Sequence, residues 1–323
     1  MSRIRFLLCV FTLSLCAALP AAAQSTWPSK PVKIVVPFVP GSFTDVSARA
    51  YAAELSEQTG ASFIVENRGG AGGTIGADLV AKSPPDGYTL FLTDNSFVMA
   101  AALYPKLPYD PAKDFTQITL TAESPSLLVV RQELPAKNLN ELIALAKAKP
   151  GELNFGSGGQ GSSAHLATEH FLDVAGIRMT HIPFKGVAAS IAEVVSGRID
   201  MSIASLASGV AQIKGGRIRG LAVSGNERSA LLPDVPTFAE QGLTRYEMSY
   251  WWGIAAPAGT PPEILKRLND EFARAAAKPK LKESFATAGA KPLSTTPQAA
   301  AERVEREIRS WQDIVSRAGV KLQ

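Results

Sequence analysis

Val32-Lys33-Ile34-Val35-Val36-Pro37-Phe38-Val39-Pro40-Gly41-Ser42-Phe43-Thr44-Asp45-Val46 decides the fold class. Val32 to Val36 is a β-branched run closed by Pro37, and Val46 to Leu55 has apolar residues at helical spacing. Strand, glycine-containing turn and helix therefore follow in order, which is an α/β opening. Outward from it, Ser62 to Val65 gives a second strand, then the loop Asn67 to Gly73 and a helix through Ala81. Pro84-Pro85-Asp86-Gly87 stops that helix, and Tyr88 to Leu92 returns as a strand. This alternation predicts a parallel-rich sheet covered by helices.

The opening is echoed downstream. Ser126 to Arg131 reads as a strand, and Asn138 with Glu141 forms a capping-box start to a helix that Pro150-Gly151 ends. Leu153 to Phe155 begins another strand, glycine loop and helix. Tyr250 to Ala256 predicts a strand, and Thr260-Pro261 and Thr296-Pro297 open two packing helices. Their apolar stripes are Ile264, Leu268, Phe272 and Val304, Ile308, Trp311, Val315.

The N-terminus has the layout of an export signal: Arg3 and Arg5, an apolar stretch from Phe6 to Ala18, and a small-residue site at Ala21-Ala22-Ala23. The apolar run is shorter than the roughly 20 residues a membrane span needs. Leu15 before Cys16 is too large for the usual lipoprotein site. Cleavage after Ala23 leaves Gln24 to Gln323 and removes both cysteines, Cys9 and Cys16, so no disulfide or thiolate metal ligand is expected. A chain of that length exceeds one ordinary core, and two lobes are expected. Loss of Arg3 and Arg5 lowers the formal charge from +4 to +2, with no basic stripe to suggest nucleic acid. A periplasmic protein is expected, with no cofactor.

Three segments set glycine or hydroxyl residues directly before a helix: Pro40 to Asp45, Gly69 to Thr74, and Ser157 to Ser163. A helix N-terminus offers unpaired N–H groups and partial positive charge, so each can receive a carboxylate or phosphate without Arg or Lys. Two such loops on facing lobes can clamp both ends of a short diacid. Ser42 and Ser162 serve equally well as plain N-caps. Gly156, Gly158 and Gly161 spell G-x-G-x-x-G, but the acidic residue a dinucleotide site wants about 20 positions on is missing around Gly176 to Ile182. His165, His170 and His181 form no metal-binding motif, and no G-x-S-x-G elbow occurs. A hydrolase would need a non-standard Ser, His and Asp set. His170 falls in line with Leu166, Phe171 and Val174 as a packed residue, whereas His165 is placed to reach a cleft.

Trp27-Pro28-Ser29-Lys30-Pro31, Val65-Glu66-Asn67-Arg68, Pro85-Asp86-Gly87-Tyr88, Leu107-Pro108-Tyr109-Asp110-Pro111, Pro183-Phe184-Lys185-Gly186, Leu232 to Thr237 and Ala256 to Pro261 are further ordered blocks. With the loops above, they make the chain resemble the Bug, or tripartite tricarboxylate transporter, extracytoplasmic receptors. The resemblance implies a type II periplasmic-binding-protein fold: two α/β lobes joined by two crossover segments, with a ligand in the cleft. The lobes would be residues 24–124 with 249–323, and 125–248, crossing near Thr121 to Pro125 and Glu247 to Tyr250. It implies a monomer that binds a small carboxylate through backbone N–H groups and waters. The membrane transporter subunits, large and small, are not in this chain.

The site so implied comprises Phe38, Pro40, Gly41, Ser42, Phe43, Thr44 and Asp45 in the first loop, with Gly72, Gly73 and Asn95. The second lobe adds Ser157, Gly158, Gly159, Gln160, Ser162, His165, Lys185 and Ser205. Two departures bear on the ligand. Ser42 replaces a usual glycine and is followed by Phe43, whose ring at the mouth would stack on an aromatic acid or shrink the pocket. Ile203-Ala204-Ser205 stands where relatives carry Phe-Asp-Asn, which removes a partner for an amino group. A plain dicarboxylate follows, with terephthalate as the aromatic candidate. A sensory receptor for a signalling partner has the same sequence requirements.

Overall fold

The computed structural model describes residues 27 to 319, so the export signal, its cleavage after Ala23, and Cys9 and Cys16 lie outside the described residues. The strand and helix read from Val32 onward are β1 (Val32–Val36) and α1 (Phe43–Thr59). Ser42 caps α1 by accepting the Asp45 N–H, and Gly60 closes it in a left-handed conformation that suits glycine. β2 (Phe63–Asn67), α2 (Thr74–Ala81), β3 (Thr89–Asp94) and α3 (Asn95–Leu103) complete the first run.

β4 (Phe115–Arg131) is one continuous strand, where the sequence alone predicts only Ser126 to Arg131. After it come α4 (Leu139–Ala148), β5 (Asn154–Ser157), α5 (Ser163–Ala175), β6 (Thr180–Pro183), α6 (Val187–Val195), β7 (Met201–Ser205), α7 (Leu206–Lys214) and β8 (Ile218–Val223). β9 (Ser249–Pro257), α8 (Pro262–Ala277), α9 (Pro279–Ala288), β10 (Lys291–Pro292) and α10 (Pro297–Ala318) finish the chain. Asn138 accepts the Glu141 N–H to cap α4. Thr296 caps α10, which buries Val304, Trp311 and Val315 of its stripe.

The strand register decides where loops meet. β1 pairs parallel with β2 and β3, β3 antiparallel with β9, and β9 antiparallel with the first half of β4. The first half of β4 therefore runs in the direction of β1 and β3. Its second half pairs antiparallel with β7 and β8, and β5 runs parallel to β7 and β6. The carboxyl ends of β1 to β3 thus point toward the second sheet, and those of β5 to β7 point back. Loops following these ends face each other, which is where ligands bind in open α/β sheets. The changeover lies between Pro125, opposite Ser249 of β9, and Ser126, opposite Ser205 of β7.

Candidate functional site

Loop 38–45 leaves β1 and enters α1. Its backbone supplies the donors: among the described residues, the N–H groups of Ser42, Phe43 and Thr44 find no acceptor, while that of Gly41 is taken by Asp45 Oδ2 at 3.3 Å. The positive end of the 17-residue α1 adds to them. Across from it, loop 157–163 leaves β5 and enters α5. There Gly159 N–H goes to Ser157 Oγ at 3.1 Å and Gly161 N–H to His165 Nδ1 at 3.2 Å. Ser162 accepts the His165 N–H as the helix cap. The N–H groups of Gly158 and Gln160 find no acceptor among the described residues.

The two halves touch at this point. Ser163 N–H donates to Ser96 Oγ at 2.8 Å, and Gly72 lies against the Gln160 carbonyl. Gly73 adjoins Pro37 and the tip of the Phe38 ring. Val39 reaches Gly186, next to the exposed Lys185, so Lys185 stands at the rim of the contact. Pro40 and Gly41 are exposed, and the Phe38 carbonyl accepts Asn67 Nδ2.

Several side chains expected at the ligand are engaged elsewhere. The Phe43 ring is not at the mouth: it is 5 % exposed and packs edge-on against Trp252 at 4.6 Å and Phe285 at 5.2 Å. Thr44 is buried, with its hydroxyl accepting Trp252 Nε1 at 2.9 Å. The Asp45 carboxylate braces its own loop, taking Arg49, Asn67 and Gly41 donors. Burial raises the Asp45 pKa, but these hydrogen bonds outweigh it and hold the carboxyl below its usual range. Asn95 is 1 % exposed, and both ends of its amide are used: Oδ1 accepts Trp251 N–H, and Nδ2 donates to the Ser249 carbonyl and Glu307. The His165 ring is buried and turned onto the loop instead of into the cleft. Ser205 ends β7 with its hydroxyl 2.9 Å from Ser208 Oγ.

Ser96 and His181 are contributors that sequence patterns miss. Ser96 follows the cap Asp94, whose carboxyl accepts its N–H. Burial pushes Asp94 up to about 7 despite that bond. His181 Nε2 lies 2.6 Å from Ser157 Oγ, a serine–histidine pair. Ser157 is fully buried, and burial followed by the neighbouring His165 pushes His181 to about 3. A general base works best with a pKa near the operating pH, so this pair is poorly suited to activate a nucleophile. Among the described residues no cluster of three metal-ligating side chains occurs. A cavity of about 910 Å³ lies elsewhere, on the β8 and β10 side of β4, lined by Glu123, Arg228, Glu247, Arg306 and Trp311 among others. It shares only Asn95 with the expected set, and neither set of unpartnered amides lines it.

Known proteins share this architecture. The chain is 38 % identical to Rpa4515 of R. palustris, solved with adipate, with a TM-score of 0.88 over 91 % of this chain and 99 % of that one. It is 32 % identical to the periplasmic binding protein BugD, with a TM-score of 0.88 over 92 % and 100 %. MatC from Rhodopseudomonas palustris, solved with bound malate, is 33 % identical with a TM-score of 0.86 over 90 % and 100 %. A sequence profile described as "Tripartite tricarboxylate transporter family receptor" matches residues 47–320.

Proposed function

Since the chain belongs to the tripartite tricarboxylate transporter receptor family, we propose that it is a periplasmic, monomeric receptor for a small aliphatic dicarboxylate. Exported by residues 1–23, it holds the diacid between loops 38–45 and 157–163 and delivers it to membrane subunits that this chain does not contain. The observation carrying this is the pair of unpartnered amide sets, Ser42 to Thr44 on one lobe and Gly158 with Gln160 on the other, at facing helix N-termini. Each set suits one carboxylate, and neither needs a cationic side chain. Adipate on Rpa4515 and malate on MatC are both short diacids. The aromatic alternative, terephthalate, loses its support because the Phe43 ring is in the core.

Calorimetric titration of the protein with C4 to C6 dicarboxylates and the matching monocarboxylates tests this. At least one diacid should bind, with its monoacid weaker by roughly tenfold or more, since one amide set is left empty. Equal affinity for diacid and monoacid, or no binding by any of them, would overturn the proposal.

A further inference from the structure

Two imidazoles brace the 157–163 loop. His165, on the first turn of α5, and His181, on β6, stack with centroids 4.0 Å apart and planes 15° from parallel. The Phe155 ring of β5 stacks on His181 at 4.8 Å. Each imidazole holds one end of the loop. His165 Nδ1 accepts the Gly161 N–H at 3.2 Å. His181 Nε2 meets Ser157 Oγ at 2.6 Å, the hydroxyl that also accepts the Gly159 N–H at 3.1 Å. A ring nitrogen that accepts carries no proton, so neutral His165 is protonated on Nε2, which lies 3.6 Å from Glu169 Oε1.

We propose that His165 and His181 are positioning residues of the anion loop, whose stacked pair fixes Ser157 and Gly161 and so presets the Gly158 and Gln160 amides. That these amides then receive a carboxylate rests on the function proposed above, but the positioning itself needs no ligand. A proton arriving on His165 Nδ1 removes the acceptor of Gly161 and sets a cation against His181. Glu169 from α5 faces His165, Tyr104 lies against Gly161, and β5 stacks the apolar Phe155 on both rings.

The test uses the ligand-free protein and its His165→Ala and His181→Phe variants. Imidazole ¹⁵N spectra of the wild type near pH 7.5 should show His165 as the Nε2–H tautomer. Hydrogen exchange across residues 157–163, corrected for intrinsic rates, should be faster by roughly tenfold or more in both variants, with β4 protection unchanged. Wild-type protection retained in both variants, or a proton on His165 Nδ1 near pH 7.5, overturns the proposal. If a variant unfolds, lost β4 protection reveals it, and the wild-type tautomer decides. Titration with adipate and malate separates the two ideas: failure of both acids on wild type counts against the proposed ligand class, while the exchange data still judge the histidines.

Discussion

A Cβ placed on Gly72 would stand 2.7 Å from the carbonyl oxygen of Gln160, across the junction of the two lobes. The obstacle is backbone, so no rotamer change relieves it, and Gly72 also sits at φ +64°, a region glycine favours. Gly72→Ala should therefore hold the lobes apart. Ligand affinity is expected to fall by roughly tenfold or more, and the radius of gyration from solution scattering to rise. Unchanged affinity together with an unchanged radius would show that this contact does not limit closure.

Phe43→Ala is expected to act on stability and leave ligand preference alone. Its ring fills space between Trp252 and Phe285, and truncating a buried phenylalanine costs about 3–5 kcal/mol. Chemical denaturation should show a loss of that size, while the order of affinities across a diacid panel stays as in wild type. A reordered panel with full stability would return the ring to the ligand.

The contrast between Gly41 and Phe43 explains how much was legible beforehand. Strand, turn and helix from Val32 to Thr59 follow from local periodicity and from Ser42 and Asp45 at capping spacing, so both were readable. The amides of the two glycine loops follow equally from local chemistry. Where the Phe43 ring points does not, because it depends on Trp252 and Phe285, more than two hundred residues away. His181 acquires its role only when β6, four residues long, pairs in parallel with β5 and brings it to Ser157. Pro125 lies where β4 exchanges the partners of one sheet for those of the other, a place where a missing N–H is tolerated.

Asp94 and His181 should bend the pH profile of stability in opposite directions. Asp94 is raised by burial from 3.8 to about 7, so the folded state holds a proton the unfolded state has released, and stability falls as pH rises through that window. His181 is lowered by burial and by His165 from 6.5 to about 3, so the unfolded state holds the extra proton and stability rises with pH between those values. Each contributes at most about 1.4 kcal/mol per pH unit. Relative to wild type, Asp94→Asn should gain stability as pH increases from about 4 to about 7, and His181→Phe should gain as it decreases from about 6.5 to about 3. Urea denaturation at several pH values measures both; parallel profiles for wild type and variants would contradict the assignment.

Asn95 is expected to act on the crossover through its hydrogen bonds and not through the ligand. Its amide joins the start of α3 to Trp251 N–H at 3.0 Å, to the Ser249 carbonyl at 3.1 Å and to Glu307 Oε2 at 3.2 Å, and Trp251 Nε1 reaches the same Glu307 oxygen at 2.8 Å. α3, β9 and α10 are thereby tied at one point beside the crossover. Asn95→Ala strands the Trp251 N–H in a buried place, at a cost of about 1–3 kcal/mol. Asn95→Asp is expected to be worse near neutral pH, because it loses the donors and sets a second carboxylate against Glu307. Protonating that acid should recover part of the loss, so the Asp variant should approach the Ala variant toward pH 4. Thermal unfolding of the three proteins at both pH values, with diacid affinity measured alongside, tests this. A fall in affinity beyond roughly threefold in Asn95→Ala, without loss of stability, would place Asn95 at the ligand after all.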